Sequence, residues 1–239
     1  MQLGESHPST LGTMINLANA YGYQGRNSEA EVLYKQCLET QKVVLGESHA
    51  NTLQAMNGLA ATYQRQEQYI DAEVLFKQCL EKQKVVLGES HPDTLQAMNN
   101  VALNCHNQGK YRDAEVLYQQ CLAKEKAVLG ESHPDTLGSM SNLAGTYDCQ
   151  GKHRDAEVLY KQCLDKQKGV LGENHPKTLC TISNLAGNYE RQGRYKDAEV
   201  SYKQCLAKRK VVLGENHPKT VDTINNLARV VSKIKFQTV

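Results

Sequence analysis

The chain has 239 residues, with 28 basic against 26 acidic side chains and a formal charge of +2, a balance that gives no electrostatic reason to expect a polyanionic partner. No run approaches the roughly 18 consecutive apolar residues of a membrane span, and the polar opening Met1-Gln2-Leu3-Gly4-Glu5-Ser6 lacks a signal-peptide apolar region. A cytoplasmic location is expected, with neither membrane nor nucleic acid as partner.

A block His-Pro-x-Thr-Leu at His91 returns at His133 and, in altered form, at His7, His49, His175 and His217, always 42 residues apart. A period of this size marks one supersecondary unit stacked on copies of itself, because a single unit cannot bury its apolar face alone. The units run over about 7–48, 49–90, 91–132, 133–174 and 175–216, with a partial one over 217–239, and residues 1–239 are read as one solenoid domain. The opening Leu3-Gly4 reads as the tail of a connection from a preceding helix, as expected of a piece of a longer array.

In the first unit Leu11, Met14, Leu17, Ala18 and Tyr21 fall on one face of a helix. Pro8 suits its first turn and Gly25 its end. A second helix follows, with Ala30, Leu33, Tyr34, Cys37, Leu38, Val44 and Leu45 on one stripe, and Gly46 closes the unit. On its other face Glu31 precedes Lys35 by one turn, a favourable ion-pair spacing that returns as Glu73 with Lys77, Glu157 with Lys161 and Glu199 with Lys203. Each helix is expected to run about 14–18 residues.

In the second unit Glu67 replaces the turn glycine found as Gly25, Gly109, Gly151 and Gly193, so a positive φ there would strain it. Alanine holds one helix-A position throughout (Ala18, Ala60, Ala102, Ala144, Ala186, Ala228), which predicts close packing of the two helices. At the far end, Thr220 to about Lys233 forms a sixth first helix in which Val231 replaces the tyrosine, as expected of a cap over the last apolar face. Five of the eight cysteines (Cys37, Cys79, Cys121, Cys163, Cys205) keep the period. Equivalent helices of neighbouring units stand at least roughly 8–10 Å apart, too far for disulfides, so these read as small buried hydrophobes. Cys105, Cys149 and Cys180 fall at unrelated phases and read as structural or incidental thiols.

Met14-x2-Leu17-Ala18-x2-Tyr21 followed by Ala30-x3-Tyr34 resembles the tetratricopeptide signature, and Ala72-x3-Phe76 fits its second half literally. The usual repeat has about 34 residues; the longer form here, with Leu-Gly-x-x-His-Pro connections and Asn-Leu-Ala in the first helix, resembles the repeats of kinesin light chains and nephrocystin-3-like proteins. That resemblance implies an all-α fold, a right-handed α-α superhelix of five helix pairs plus a C-terminal capping helix, with helix A lining a concave groove. It implies a protein-interaction scaffold that binds an extended peptide segment of a partner in that groove, and an association with a kinesin-type motor or its cargo.

Carried over onto this sequence, the peptide-contacting positions are Asn16, Asn100, Asn142, Asn184 and Asn226, with Asn57, Asn99, Ser141, Ser183 and Asn225 one residue earlier; Gly58 breaks the first series. An asparagine amide both donates and accepts, so it can pair with a peptide backbone whatever the peptide's side chains. It can equally bond within its own helix or to the neighbouring repeat. One turn on, Asn19, Ala61, Leu103, Gly145 and Gly187 are mostly small, which leaves room for a ligand. Arg65 and Arg191 near the helix ends would offer charge to an acidic peptide, beside Asp148 and Glu190.

No phosphate-binding loop, zinc-protease, nucleophile-elbow or dinucleotide motif occurs. Neither enzymatic activity nor a cofactor is expected. The periodic histidines sit in separate connections, too far apart for shared metal ligation at roughly 2 Å, and read as capping or loop residues. Two other readings stay open: a spacer or sensor array of a larger multidomain protein with no ligand of its own, and an RNA-binding helical repeat, which the balanced charge disfavours.

Overall fold

The structure, a computed structural model, describes residues 7–237, and the connection expected at Leu3-Gly4 lies outside the described residues. Helices α1 (Pro8–Tyr23) and α2 (Asn27–Val44) form the first hairpin, α3 (Ala50–Arg65) and α4 (Tyr69–Leu87) the second. Then come α5 (Pro92–Asn107) and α6 (Tyr111–Val128), α7 (Pro134–Cys149) and α8 (His153–Val170), α9 (Pro176–Arg191) and α10 (Tyr195–Leu213), and a final α11 (Pro218–Gln237). The fold is all-α, with no strand among the described residues. First helices have 16 residues and second helices 18 or 19, so that only α4, α10 and the 20-residue α11 exceed the expected range. No helix among the described residues is long and apolar enough to cross a membrane.

The chain divides into two compact units between Leu117 and Tyr118, inside α6. In the first unit each helix from α1 to α5 packs on the next, and α1 also touches α3. The second repeats this from α7 to α11, with α7 touching α9. Stacked helix hairpins of this kind are the architecture of a tetratricopeptide solenoid.

Local chemistry sets the boundaries. The Nδ1 of His7, His49, His91, His133, His175 and His217 accepts a hydrogen bond from the backbone N–H two residues on, at 3.2 Å in each case. Each histidine is thus an N-cap, filling the place more often taken by Ser, Thr or Asp. Gly25, Gly109, Gly151 and Gly193 close the first helices with φ of 75–80°. Glu67 takes the same turn at φ 62°, the one non-glycine residue in that region among those described.

The cores follow the 42-residue pattern. In the first unit Leu11, Ile15, Ala18, Ala30, Tyr34, Cys37, Leu53, Met56 and Leu59 pack together; in the second, Ala144, Ala156, Tyr160, Leu185, Ala186, Ala198, Tyr202 and Val230 do. Ala18, Ala60, Ala102, Ala144 and Ala186 are fully buried, whereas Ala228 on α11, which no further helix follows among the described residues, is exposed. Leu17 departs from expectation and is exposed, although its equivalents Leu59, Val101, Leu143 and Leu185 are buried. Val44 is also exposed, and Gln41 takes the buried place on α2.

The periodic thiols are buried and donate S–H to a helix-A carbonyl: Cys37 to Leu11 O, Cys79 to Leu53 O, Cys163 to Leu137 O and Cys205 to Leu179 O, at 3.2–3.8 Å. Burial pushes the Cys79 thiol up to about 11 and Cys163 to about 12. Outside, the expected ion pairs form at 2.5–2.7 Å, Glu31–Lys35, Glu73–Lys77, Glu157–Lys161 and Glu199–Lys203.

Candidate functional site

Helix geometry decides which polar residues of the first helices can meet a ligand. In the first unit Asn16 of α1 stands exposed, while Asn57 of α3 and Asn99 and Asn100 of α5 are half-buried. Asn100 Oδ1 accepts from Gln96 Nε2 one turn earlier at 3.2 Å, so that amide is engaged in its own helix. The Oδ1 of Asn57 is buried without a donor. Arg65 is exposed and lies over Gly22, whose added Cβ would fall 2.9 Å from Arg65 Nη1.

In the second unit Ser141 and Asn142 of α7 are half-buried, and Ser141 Oγ lies 3.5 Å from Thr181 Oγ1 of α9. Asn184 of α9 and Asn225 of α11 are exposed, and Ser183 and Asn226 half-buried. Along α9, Cys180, Asn184, Gly187 and Arg191 follow at spacings of four, three and four, a single stripe of the helix. Three other polar side chains of α9 turn inward: Thr178 Oγ1 bonds Gly172 O at 2.9 Å, Thr181 Oγ1 bonds Lys177 O at 3.2 Å, and Asn188 Nδ2 donates to Asp148 Oδ1 at 2.7 Å.

The small positions one turn beyond the asparagines have a structural occupant. Tyr34 Oη donates to Asn19 Oδ1 at 2.6 Å. A Cβ added at Gly145 would sit 3.2 Å from Tyr160 Oη, and one at Gly187 3.4 Å from Tyr202 Oη. The space read from the sequence as room for a ligand receives the buried tyrosines of the second helices. Gly58, which breaks the asparagine series, does so for the same reason: a Cβ there would collide with the ring of Tyr34 and lie 2.8 Å from its Oη. Burial raises the Tyr34, Tyr160 and Tyr202 phenols above their ordinary value.

Charge is arranged differently from the sequence reading. Arg191 pairs with Asp148, whose carboxylate is 1 % exposed and also meets His153 Nδ1 at 2.6 Å. Glu190 is held by Arg229 at 2.8 Å and Lys233 at 3.0 Å. The Arg229 hydrogen bond is the main cause of its lowered carboxyl pKa. Arg191 therefore closes an internal pair as well as facing outward. Sequence reasoning placed both acids beside the exposed arginines and missed their burial, because Arg191, Arg229 and Lys233, which hold them, stand about one repeat away and at positions without periodicity.

Comparison with known proteins agrees with the geometry. Tetratricopeptide repeat profiles match residues 9–84 and 51–124 in one form and 136–177 and 178–219 in another. The curated proteins give no significant match. Among solved structures, nearly identical TPR-like repeats assigned to a kinesin light chain of Podosopora anserina share 27% identity at a TM-score of 0.71, covering 87% of this chain and 98% of that one. BtubC (BKLC) from P. vanneervenii, at 20% identity and TM-score 0.70, covers 86% of this chain and 82% of its own. A Rap protein complexed with competence and sporulation factor, at 13% identity and TM-score 0.61, covers 99% of this chain and 67% of its own; both likenesses concern the fold. With these profiles spanning most of its length, the chain belongs to the tetratricopeptide repeat family, in its kinesin-light-chain-like form, and is a protein-interaction scaffold.

Proposed function

We propose that residues 1–239 act as one array whose first helices capture an extended peptide segment of a partner protein, with exposed amides pairing to its backbone. The observation that carries this reading is α9, where Asn184 stands exposed on the stripe of Cys180, Gly187 and Arg191 while Thr178, Thr181 and Asn188 of the same helix are bonded inward. The Rap relative, solved with competence and sporulation factor bound, is in keeping with it. The peptide is selected by shape and backbone more than by acidity in the second unit, since the charge of Arg191 is shared with Asp148.

The test is a selection of short linear peptides on the whole chain, followed by fluorescence polarisation with the variant Asn142→Ala/Asn184→Ala/Asn226→Ala. One net hydrogen bond is worth about 0.5–1.5 kcal/mol, so the triple variant is expected to bind about tenfold more weakly or worse. Its melting curve should stay close to the parent's. Full retention of affinity would move binding off the first helices, and unfolding of the variant would make the amides structural. If no peptide is selected at all, the array is a spacer.

A further inference from the structure

The fifth repeat departs from its siblings at two places, and both meet a lysine of the following helix. Arg209 stands where other repeats have Gln41, Gln83, Glu125 and Gln167, and Cys180 where they have glycine or glutamine. Lys219 opens α11 beside them. Cys180 Sγ, half-buried on α9, accepts from Lys219 Nζ at 3.5 Å and from Arg209 Nη2 at 3.8 Å.

Arg209 is 4 % exposed. Its Nη1 donates to Lys219 O at 2.7 Å and Thr223 Oγ1 at 2.6 Å, its Nη2 also to Leu179 O at 3.4 Å, and its Nε has no partner. Every oxygen around it is neutral, and no carboxylate pairs with it among the described residues. A guanidinium keeps its charge when buried, and a buried charge without a counter-ion is costly. The one atom in hydrogen-bond reach able to carry the opposite charge is the Cys180 sulfur. Cations beside a sulfur stabilise the negative charge of the attacking thiolate. The five periodic thiols are fully enclosed in the core, and burial raises even the Cys205 thiol, which Arg209 also approaches.

We propose that Cys180 is a nucleophilic thiol that forms a mixed disulfide with a small carboxylate-bearing disulfide, of the chemical class of oxidised glutathione. The Cys180 thiolate attacks one sulfur of the small disulfide. A new S–S bond forms as the old one breaks, Cys180 is oxidised, and the other half leaves as a thiolate that takes a proton from water. Lys219 and Arg209 then face the carboxylates of the adduct. Because Cys180 shares a stripe with Asn184, the adduct would also obstruct a bound peptide; that consequence rests on the proposed function, whereas the reactivity does not.

The experiment treats the whole reduced chain with oxidised glutathione and, separately, with a dianionic aromatic disulfide, and maps the modified cysteines over time by peptide mass spectrometry. Cys149, the exposed thiol of α7, is the internal control. Cys180 is expected to be modified about tenfold faster than Cys149 despite its lower exposure, with a rate that falls as salt rises. Lys219→Asn and Arg209→Gln each restore a residue found at the same place in another repeat, and should slow Cys180 while leaving Cys149 unchanged. If Arg209→Gln perturbs folding, the exposed Lys219→Asn decides alone. Modification of Cys149 ahead of Cys180, or an unchanged Cys180 rate in Lys219→Asn, would overturn the proposal.

Discussion

The two compact units are built on one repeat, yet they fill the same late position of helix A with opposite chemistry. In the first unit it holds Gly22, Gln64 and His106; in the second, Asp148 and Glu190, both buried and gripped by cations. Both units share one bond, Asn104 to the backbone carbonyl of Tyr69 at 2.9 Å and Asn188 to that of His153 at 3.0 Å, and the second adds the bond from Asn188 to Asp148. The repeat thus fixes where a helix end touches its neighbour and leaves open whether that contact is neutral or ionic. The ionic version should be stiffer to mutation, because removing one partner strands a buried charge.

The largest expected effect tests that contrast at equivalent arginines. Arg191→Ala leaves the Asp148 carboxylate buried with only His153 and Asn188, and should cost about 3 kcal/mol in chemical denaturation. Arg65→Ala, at the same place in the first unit, should stay within about 0.5 kcal/mol. Equal costs would remove the distinction between the units.

Next in size is the tyrosine slot. Gly58→Ala forces a methyl into the Tyr34 ring and should cost about 1–3 kcal/mol. Gly187→Ala, facing Tyr202 Oη at 3.4 Å, should instead gain up to about 1 kcal/mol of helix propensity. A tolerated Gly58→Ala would mean Tyr34 can turn away.

Smaller again is the turn at Glu67. Its φ of 62° is natural for glycine, so Glu67→Gly should stabilise by up to about 1 kcal/mol, read as a higher midpoint.

The smallest effect is one that both units should share. Hydrogen bonds from Lys77, Gln108 and Lys110 hold the Glu73 carboxyl at about 2. Glu157 also titrates at about 2: its partial burial opposes the shift, but bonds from Lys161, Gln192 and Arg194 together outweigh it. A carboxyl lowered from 4.5 stabilises fully above that value and loses the contribution as pH falls through about 2. Melting temperatures should fall over that window, less steeply in Glu73→Gln and Glu157→Gln; identical slopes would show that the carboxylates titrate normally.

Much of the fold was legible because it repeats. The periodic histidine, followed by proline everywhere but at Ala50, marked the start of each first helix, and the structure adds that the histidine itself is the cap. Glu67 advertised its positive φ by standing in a column of glycines. The site was legible only in outline. The asparagine row could be seen, but not that Asn100 bonds Gln96, nor that the small residues beside the row seat tyrosines from the other helix. Asp148, Glu190 and Arg209 break the period, and apart from His153, five residues from Asp148, their partners lie 10 to 43 residues away, so their chemistry appears only when the helices are stacked.

Those separations have a consequence for how the chain folds. The Cys163 thiol reaches back 26 residues, Gln192 reaches 35 to Glu157, and Arg191 reaches 43 to Asp148. Closing a loop of 43 residues rather than 26 adds less than about 0.6 kcal/mol of entropic cost. Folding can therefore nucleate in whichever hairpin forms first and propagate outward by near-equal steps, and amide exchange should trace a gradient from frayed ends to a slow middle in place of one all-or-none event.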